Sequence, residues 1–100
     1  MPTVELAAAA VEDLEELIRS HSLPRDTPAR VASSLRPLER FPLMGPELGG
    51  LWEGLRFLLG PWRWLLLVYV YMEAADRVFV VTIQDARSST AVTSARGGAP

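Results

Sequence analysis

Leu55-Arg56-Phe57-Leu58-Leu59-Gly60-Pro61-Trp62-Arg63-Trp64-Leu65-Leu66-Leu67-Val68-Tyr69-Val70-Tyr71-Met72 followed by Glu73-Ala74-Ala75-Asp76 and then Arg77-Val78-Phe79-Val80-Val81-Thr82-Ile83-Gln84-Asp85-Ala86-Arg87 decides the fold. Apolar, aromatic and β-branched residues fall in three short runs, broken by Gly60-Pro61 and by Glu73 to Asp76. That pattern predicts three consecutive strands, about 51–59, 62–72 and 77–85, joined by tight turns and therefore antiparallel. In the first, Leu55, Phe57 and Leu59 share a face and Arg56 and Leu58 the other. In the second, Trp62, Trp64, Leu66, Val68, Val70 and Met72 alternate with Arg63, Leu65, Leu67, Tyr69 and Tyr71. In the third, Phe79, Val81 and Ile83 alternate with Val78, Val80, Thr82 and Gln84. Both faces of the central run are apolar, so one is expected to lie under helices and the other under a partner or a curved part of the sheet. Arg56, Arg63 and Arg87 sit in or beside these runs, and what they touch is the main functional question.

Working toward the N-terminus, residues 43–50 carry Gly45, Pro46, Gly49 and Gly50 and read as a connection. They lack the Gly-Lys-Ser/Thr ending and the preceding strand of a phosphate-binding loop. Thr27-Pro28 opens a helix with Thr27 as N-cap, carrying Val31, Leu35 and Leu38 on one side. Pro37 should kink or end it. Residues 7–20 form an earlier helix with an apolar stripe of Val11, Leu14, Leu17, Ile18 and His21. Its other side carries Glu12, Asp13, Glu15, Glu16 and Arg19, with Glu15 and Arg19 placed to pair across one turn. That acidic side reads as a solvated face, and His21 as a capping or packing residue. Thr3 to Leu6 is a brief first strand. The fold class is α+β: an N-terminal strand and a two-helix hairpin packed on a small curved antiparallel sheet. One domain spans 1–93, and the Gly/Ala-rich 94–100 forms a flexible tail.

Composition bounds the chemistry. One hundred residues, 49% hydrophobic and 22% charged, suffice for one small core. There is no cysteine, which removes disulfides and thiolate metal sites and permits a reducing cytosol. A single histidine excludes any site that needs two. No metal or cofactor site is expected. All ten basic residues are arginine, and the net charge of −2 argues against general nucleic-acid binding by the whole surface. The longest apolar run, 65–72, is far shorter than the roughly 20 residues that span a bilayer, so no membrane partner is expected.

Four features taken together resemble the RelE/ParE superfamily of bacterial toxins from type II toxin–antitoxin pairs, over about residues 4–87. They are Val11-Glu12-Asp13-Leu14-Glu15-Glu16-Leu17-Ile18, then Leu38-Glu39-Arg40-Phe41-Pro42 with Gly45, then Leu55-Arg56 with Gly60-Pro61-Trp62-Arg63, and finally Val78 to Ile83 with Asp85-Ala86-Arg87. The resemblance implies a cytoplasmic growth inhibitor that a cognate antitoxin peptide wraps and neutralises in a hetero-oligomer. Its target would be DNA gyrase or the ribosome, and Arg56, Arg63, Arg87, Tyr69 and Tyr71 become the target-binding candidates. The family's tyrosine soon after the aromatic-arginine pair is replaced here by Leu65 and Leu66, its terminal histidine by Ala86, and lysine is absent. Cleavage of RNA needs a base for the 2′-hydroxyl as well as cations for the phosphorane charge. No catalytic base is assigned, so the reading leans away from an enzyme and toward ParE-like gyrase poisoning. A ribosome-dependent mRNA endonuclease and a non-toxic binding module that keeps the fold are the alternatives.

Overall fold

The computed structural model describes residues 1–88. The expected boundary at 93 and the tail at 94–100 lie outside the described residues. The elements are β1 (Thr3–Leu6), α1 (Ala8–Ser20), α2 (Thr27–Leu35), β2 (Arg56–Leu59), β3 (Leu65–Met72) and β4 (Arg77–Asp85), with short 3-10 turns at Arg36–Glu39, Gly50–Trp52 and Glu73–Ala75. The strand order is β1-β4-β3-β2. The β2-β3-β4 meander is antiparallel as expected. β1 pairs parallel to β4, with Val4 opposite Val78, so the four-stranded sheet is mixed.

Leu65, Leu67 and Tyr69 of β3 point under the helices and join Val78, Val80 and Ile83 of β4, Ala10 and Leu14 of α1, and Val31, Leu35 and Leu38 around α2 in one core. β4 reaches that core with residues of both parities because its ladder skips one residue: Val68 opposes Thr82, but Tyr69 opposes Val80. The skipped Val81 is a bulge that turns the strand over by one side chain. The even alternation read from Val78 to Gln84 therefore holds only in segments.

The other sheet face is not left for a partner. Leu66 and Val68 pack there with Leu48, Trp52, Leu55 and Phe57, so the chain's own connection covers it. That connection also shortens β2. Gly50 (φ 61°) and Gly54 (φ 92°) take left-handed conformations that interrupt a strand, and residues 50–52 coil instead of extending. β3 likewise starts at Leu65, because Gly60 to Trp64 is spent on the turn: the Gly60 N–H donates to the Leu65 carbonyl at 2.8 Å and the Leu65 N–H to the Trp62 carbonyl at 3.0 Å.

Four expectations for the helices change. Ala10, not Val11, completes the buried stripe of α1, and Val11 is exposed. Arg19 pairs with Glu16 at 2.6 Å rather than with Glu15. Asp13 leaves the solvated face and accepts from the Thr82 hydroxyl (2.6 Å) and the Ile83 amide (3.2 Å), binding α1 to β4 beside the bulge. Thr27 does not cap α2. It is fully buried and its hydroxyl donates back to the Pro24 carbonyl at 2.6 Å. Pro37 acts as expected: α2 stops at Leu35 and tightens into the 3-10 turn.

Candidate functional site

The turn before β3 presents two tryptophans. Trp62 and Trp64 stack with ring centroids 5.8 Å apart, and the imidazole of His21 stacks on Trp64 at 5.1 Å and 12°. The Arg87 guanidinium lies 4.5 Å from the Trp64 centroid, and that of Arg30 lies 6.0 Å from Trp62. A ladder of three rings with cations at two points thus runs from the end of α1 to α2. His21 reaches it because it caps the C-terminus of α1, its amide bonding the Leu17 carbonyl at 3.0 Å.

Asp85 organises this end. It closes β4 opposite Leu65. Its carboxylate accepts from the Arg87 Nε and Nη2 (2.9 Å each), the Arg87 amide (2.8 Å) and His21 Nε2 (3.0 Å). The Arg87 side chain, seconded by its amide and by His21, holds the Asp85 carboxyl well below the usual carboxylate range against the opposing effect of burial. The same pair raises Arg87. An ionised Asp85 requires a hydrogen on His21 Nε2, and His21 Nδ1 meets the Ser20 hydroxyl at 2.8 Å. An open groove of about 360 Å³ lies alongside, between Asp13, Glu16 and Leu17 of α1 and the end of β4.

A depressed carboxyl has a definite consequence for acid stability. The folded state binds the Asp85 proton more weakly than the unfolded chain, whose aspartates titrate at about 3.9. The Asp85 contribution is therefore complete above that value and lost as pH falls through the lower, folded one. Asp85→Asn should lower stability at pH 7 and flatten the loss of stability below about pH 4, read by urea unfolding at several pH values. Equal pH slopes for the two proteins would show the pair to be unlinked to folding.

The five candidates separate. Arg63 lies in the same turn as the tryptophans, exposed, and makes no hydrogen bond or ion pair among the described residues. Arg87 joins it at this end. Arg56 pairs with Tyr69, four residues along β3 from Leu65, about 13 Å away at strand rise. Its guanidinium turns onto the connection, donating to the carbonyls of Leu43 (3.0 Å) and Gly45 (2.7 Å) and to Glu47 (2.9 Å). Tyr69 is fully buried, its hydroxyl accepts from the Gly45 amide at 3.0 Å, and burial raises its pKa. Tyr71 lies toward the β3–β4 turn, donating to Asp76 at 2.7 Å, a bond that raises its pKa. The arginines thus do not form one patch. Arg56 and Tyr69 clamp the connection, while Arg63 and Arg87 share the tryptophan end with His21, Trp62, Trp64 and Asp85. Among the described residues no group of acids and histidines could hold a metal ion, and no helix is long and apolar enough to cross a membrane.

No protein-family model matches the chain, and no curated relative matches it in sequence. Solved structures do match in fold. A chain of the chromosomal ParDE toxin–antitoxin system of P. aeruginosa superposes with a TM-score of 0.68 over 87% of this chain and 98% of its own, at 12% identity. The isolated E. coli RelE toxin gives 0.63 over 98% of both chains at 15% identity. The RelBE2 toxin–antitoxin complex of Mycobacterium tuberculosis gives 0.58 over 84% of this chain and 90% of the matched one at 22% identity. The chain has the RelE/ParE toxin fold.

Proposed function

We propose that this chain is the toxin of a type II toxin–antitoxin pair, neutralised by a cognate antitoxin, and that it inhibits growth as a ParE-like poison of DNA gyrase. The observation that carries the toxin reading is the shared fold, which covers nearly all of the described chain in both a ParDE and a RelE structure. Arg63 and Arg87, with Trp62, Trp64 and His21, are the target-contacting set. Tryptophan and arginine concentrate binding energy at protein interfaces, and a poison needs only such a surface. Turnover needs a base within reach of its proton. Among the described residues at this end, His21 offers an imidazole, a group that titrates in the range a base needs, and its place with Arg87 on Trp64 supports the second reading, a ribosome-dependent endonuclease. Both its ring nitrogens are engaged within the chain, however, on Asp85 and Ser20. Tyr69 is buried and Tyr71 is bonded to Asp76, both with raised pKa values. These engagements favour the poison.

Induced expression in a bacterium tests the toxin reading. Growth should stop, and co-expression of the adjacent reading frame should restore it. Undiminished growth at confirmed protein level would remove the toxin reading.

A further inference from the structure

The end of α2 and the 3-10 turn after it bury one side and leave the other to solvent. Val31, Leu35 and Leu38 lie in the core. Ser33, Arg36 and Arg40 fall at i, i+3 and i+7 on the opposite side, and all three are exposed. The Arg40 amide donates to the Pro37 carbonyl at 3.0 Å, so a closed turn anchored by Leu38 carries both arginines. The hydroxyl of the neighbouring Ser34 is spent on the Arg30 carbonyl at 3.1 Å. That of Ser33 has no partner among the described residues.

These three side chains line one open groove of about 420 Å³, with Met1 and Pro37 as its apolar wall and Glu39 as its carboxylate. That volume is in the range of a small-molecule site. Arg19, Arg30, Arg56, Arg77 and Arg87 each pair with an acid. Arg36 and Arg40 make no ion pair among the described residues, not even with Glu39. Two unmatched guanidiniums that share a groove repel each other, and a doubly charged anion between them turns that repulsion into attraction. The guanidinium fork matches the oxygens of a phosphate, and the Ser33 hydroxyl adds one more donor.

We propose that Ser33, Arg36 and Arg40 form a binding site for a phosphate monoester or free phosphate. The two guanidiniums take the phosphate oxygens, the Ser33 hydroxyl donates to the same group, and the charge of Glu39 opposes it. A monoester carries nearly two negative charges at neutral pH and a diester one, so the site favours the monoester. Inorganic phosphate and a nucleoside 5′-monophosphate both present this group. The site shares no residue with the tryptophan end and does not depend on the toxin reading.

The test titrates the full chain with inorganic phosphate and, separately, with adenosine 5′-monophosphate, at constant ionic strength set with sodium chloride and a pH of about 7.5, where the monoester is a dianion. Saturable NMR shifts are expected at the amides of Ser33, Arg36 and Arg40. Equal affinities assign the site to the phosphate group alone, and tighter nucleotide binding extends it to what the phosphate carries; both support the proposal. Arg36→Ala and Arg40→Ala should each weaken binding about threefold to tenfold, and Ser33→Ala about twofold to fivefold. Glu39→Gln should tighten it about twofold to fivefold, a gain that loss of folding does not produce. No saturable shift with either ligand, the same shifts with chloride alone, or shifts centred on Arg63 and Arg87 would overturn the proposal. So would a dinucleotide phosphodiester that binds as tightly as the monoester, or a Glu39→Gln variant that binds no tighter.

Discussion

Gly45→Ala should cost about 2–3 kcal/mol of stability, whereas Gly49→Ala, four residues on, should stay within about 0.5 kcal/mol. A Cβ at Gly45 would overlap the Phe57 carbonyl oxygen and sit 2.9 Å from the Tyr69 hydroxyl and 3.0 Å from its ring. Neither neighbour gives way cheaply. One is main chain in β2, and the other belongs to a fully buried tyrosine whose hydroxyl accepts from the Gly45 amide itself. Gly49 has open space around its Cβ position and an ordinary extended backbone. Equilibrium urea unfolding of both variants reads the difference. Equal values would mean that the connection is not clamped on Tyr69 and Arg56 as described.

That clamp shows where the sequence stopped being legible. The order of strand, two helices and meander followed from local periodicity and from Gly60-Pro61 and Glu73–Asp76, which speak for the residues next to them. The parallel pairing of β1 with β4 joins segments more than seventy residues apart, and no local pattern encodes it. The bulge at Val81 was hidden because Val78, Val80 and Val81 are alike on either face. Arg56 reads as a strand arginine that either satisfies a nearby carboxylate such as Glu53 or Asp85 or contacts a target, yet the carbonyls it serves belong to residues 43–45, whose return over the sheet edge depends on the left-handed glycines 50 and 54.

The candidate site was half legible for the same reason. Arg63 and Arg87 stand out in sequence, but His21 is assigned to a helix end and its link to Asp85 spans 64 positions. The signal that could have found it is the meander register, which puts Asp85 opposite Leu65 and so brings Arg87 to the tryptophan turn. Trp62 and Trp64 read in sequence as strand residues alternating with Arg63. In the structure they belong to a turn, and there they stack.

The second large effect is on activity. Arg63→Ala and Arg87→Ala should each weaken target inhibition about tenfold to a hundredfold, the scale of a hydrogen bond to a charged group. Arg63 has no partner within the described chain, so its removal should leave the fold unchanged within about 0.5 kcal/mol. Arg87→Ala also strips Asp85 of its main partner, so its unfolding curve must be measured beside its activity. Arg56→Ala should act by the opposite route, loosening the 43–47 connection before it alters target contact. Full toxicity of the Arg63/Arg87 double variant at equal protein level would remove this end of the sheet from the mechanism.

Purified chain added in parallel to a DNA gyrase supercoiling reaction and to translating ribosomes tests the central claim most directly. The account predicts inhibited supercoiling or accumulated cleaved DNA, with messenger intact. Messenger cut within the ribosomal A site, with gyrase unaffected, would contradict it and make His21 the first candidate for the base.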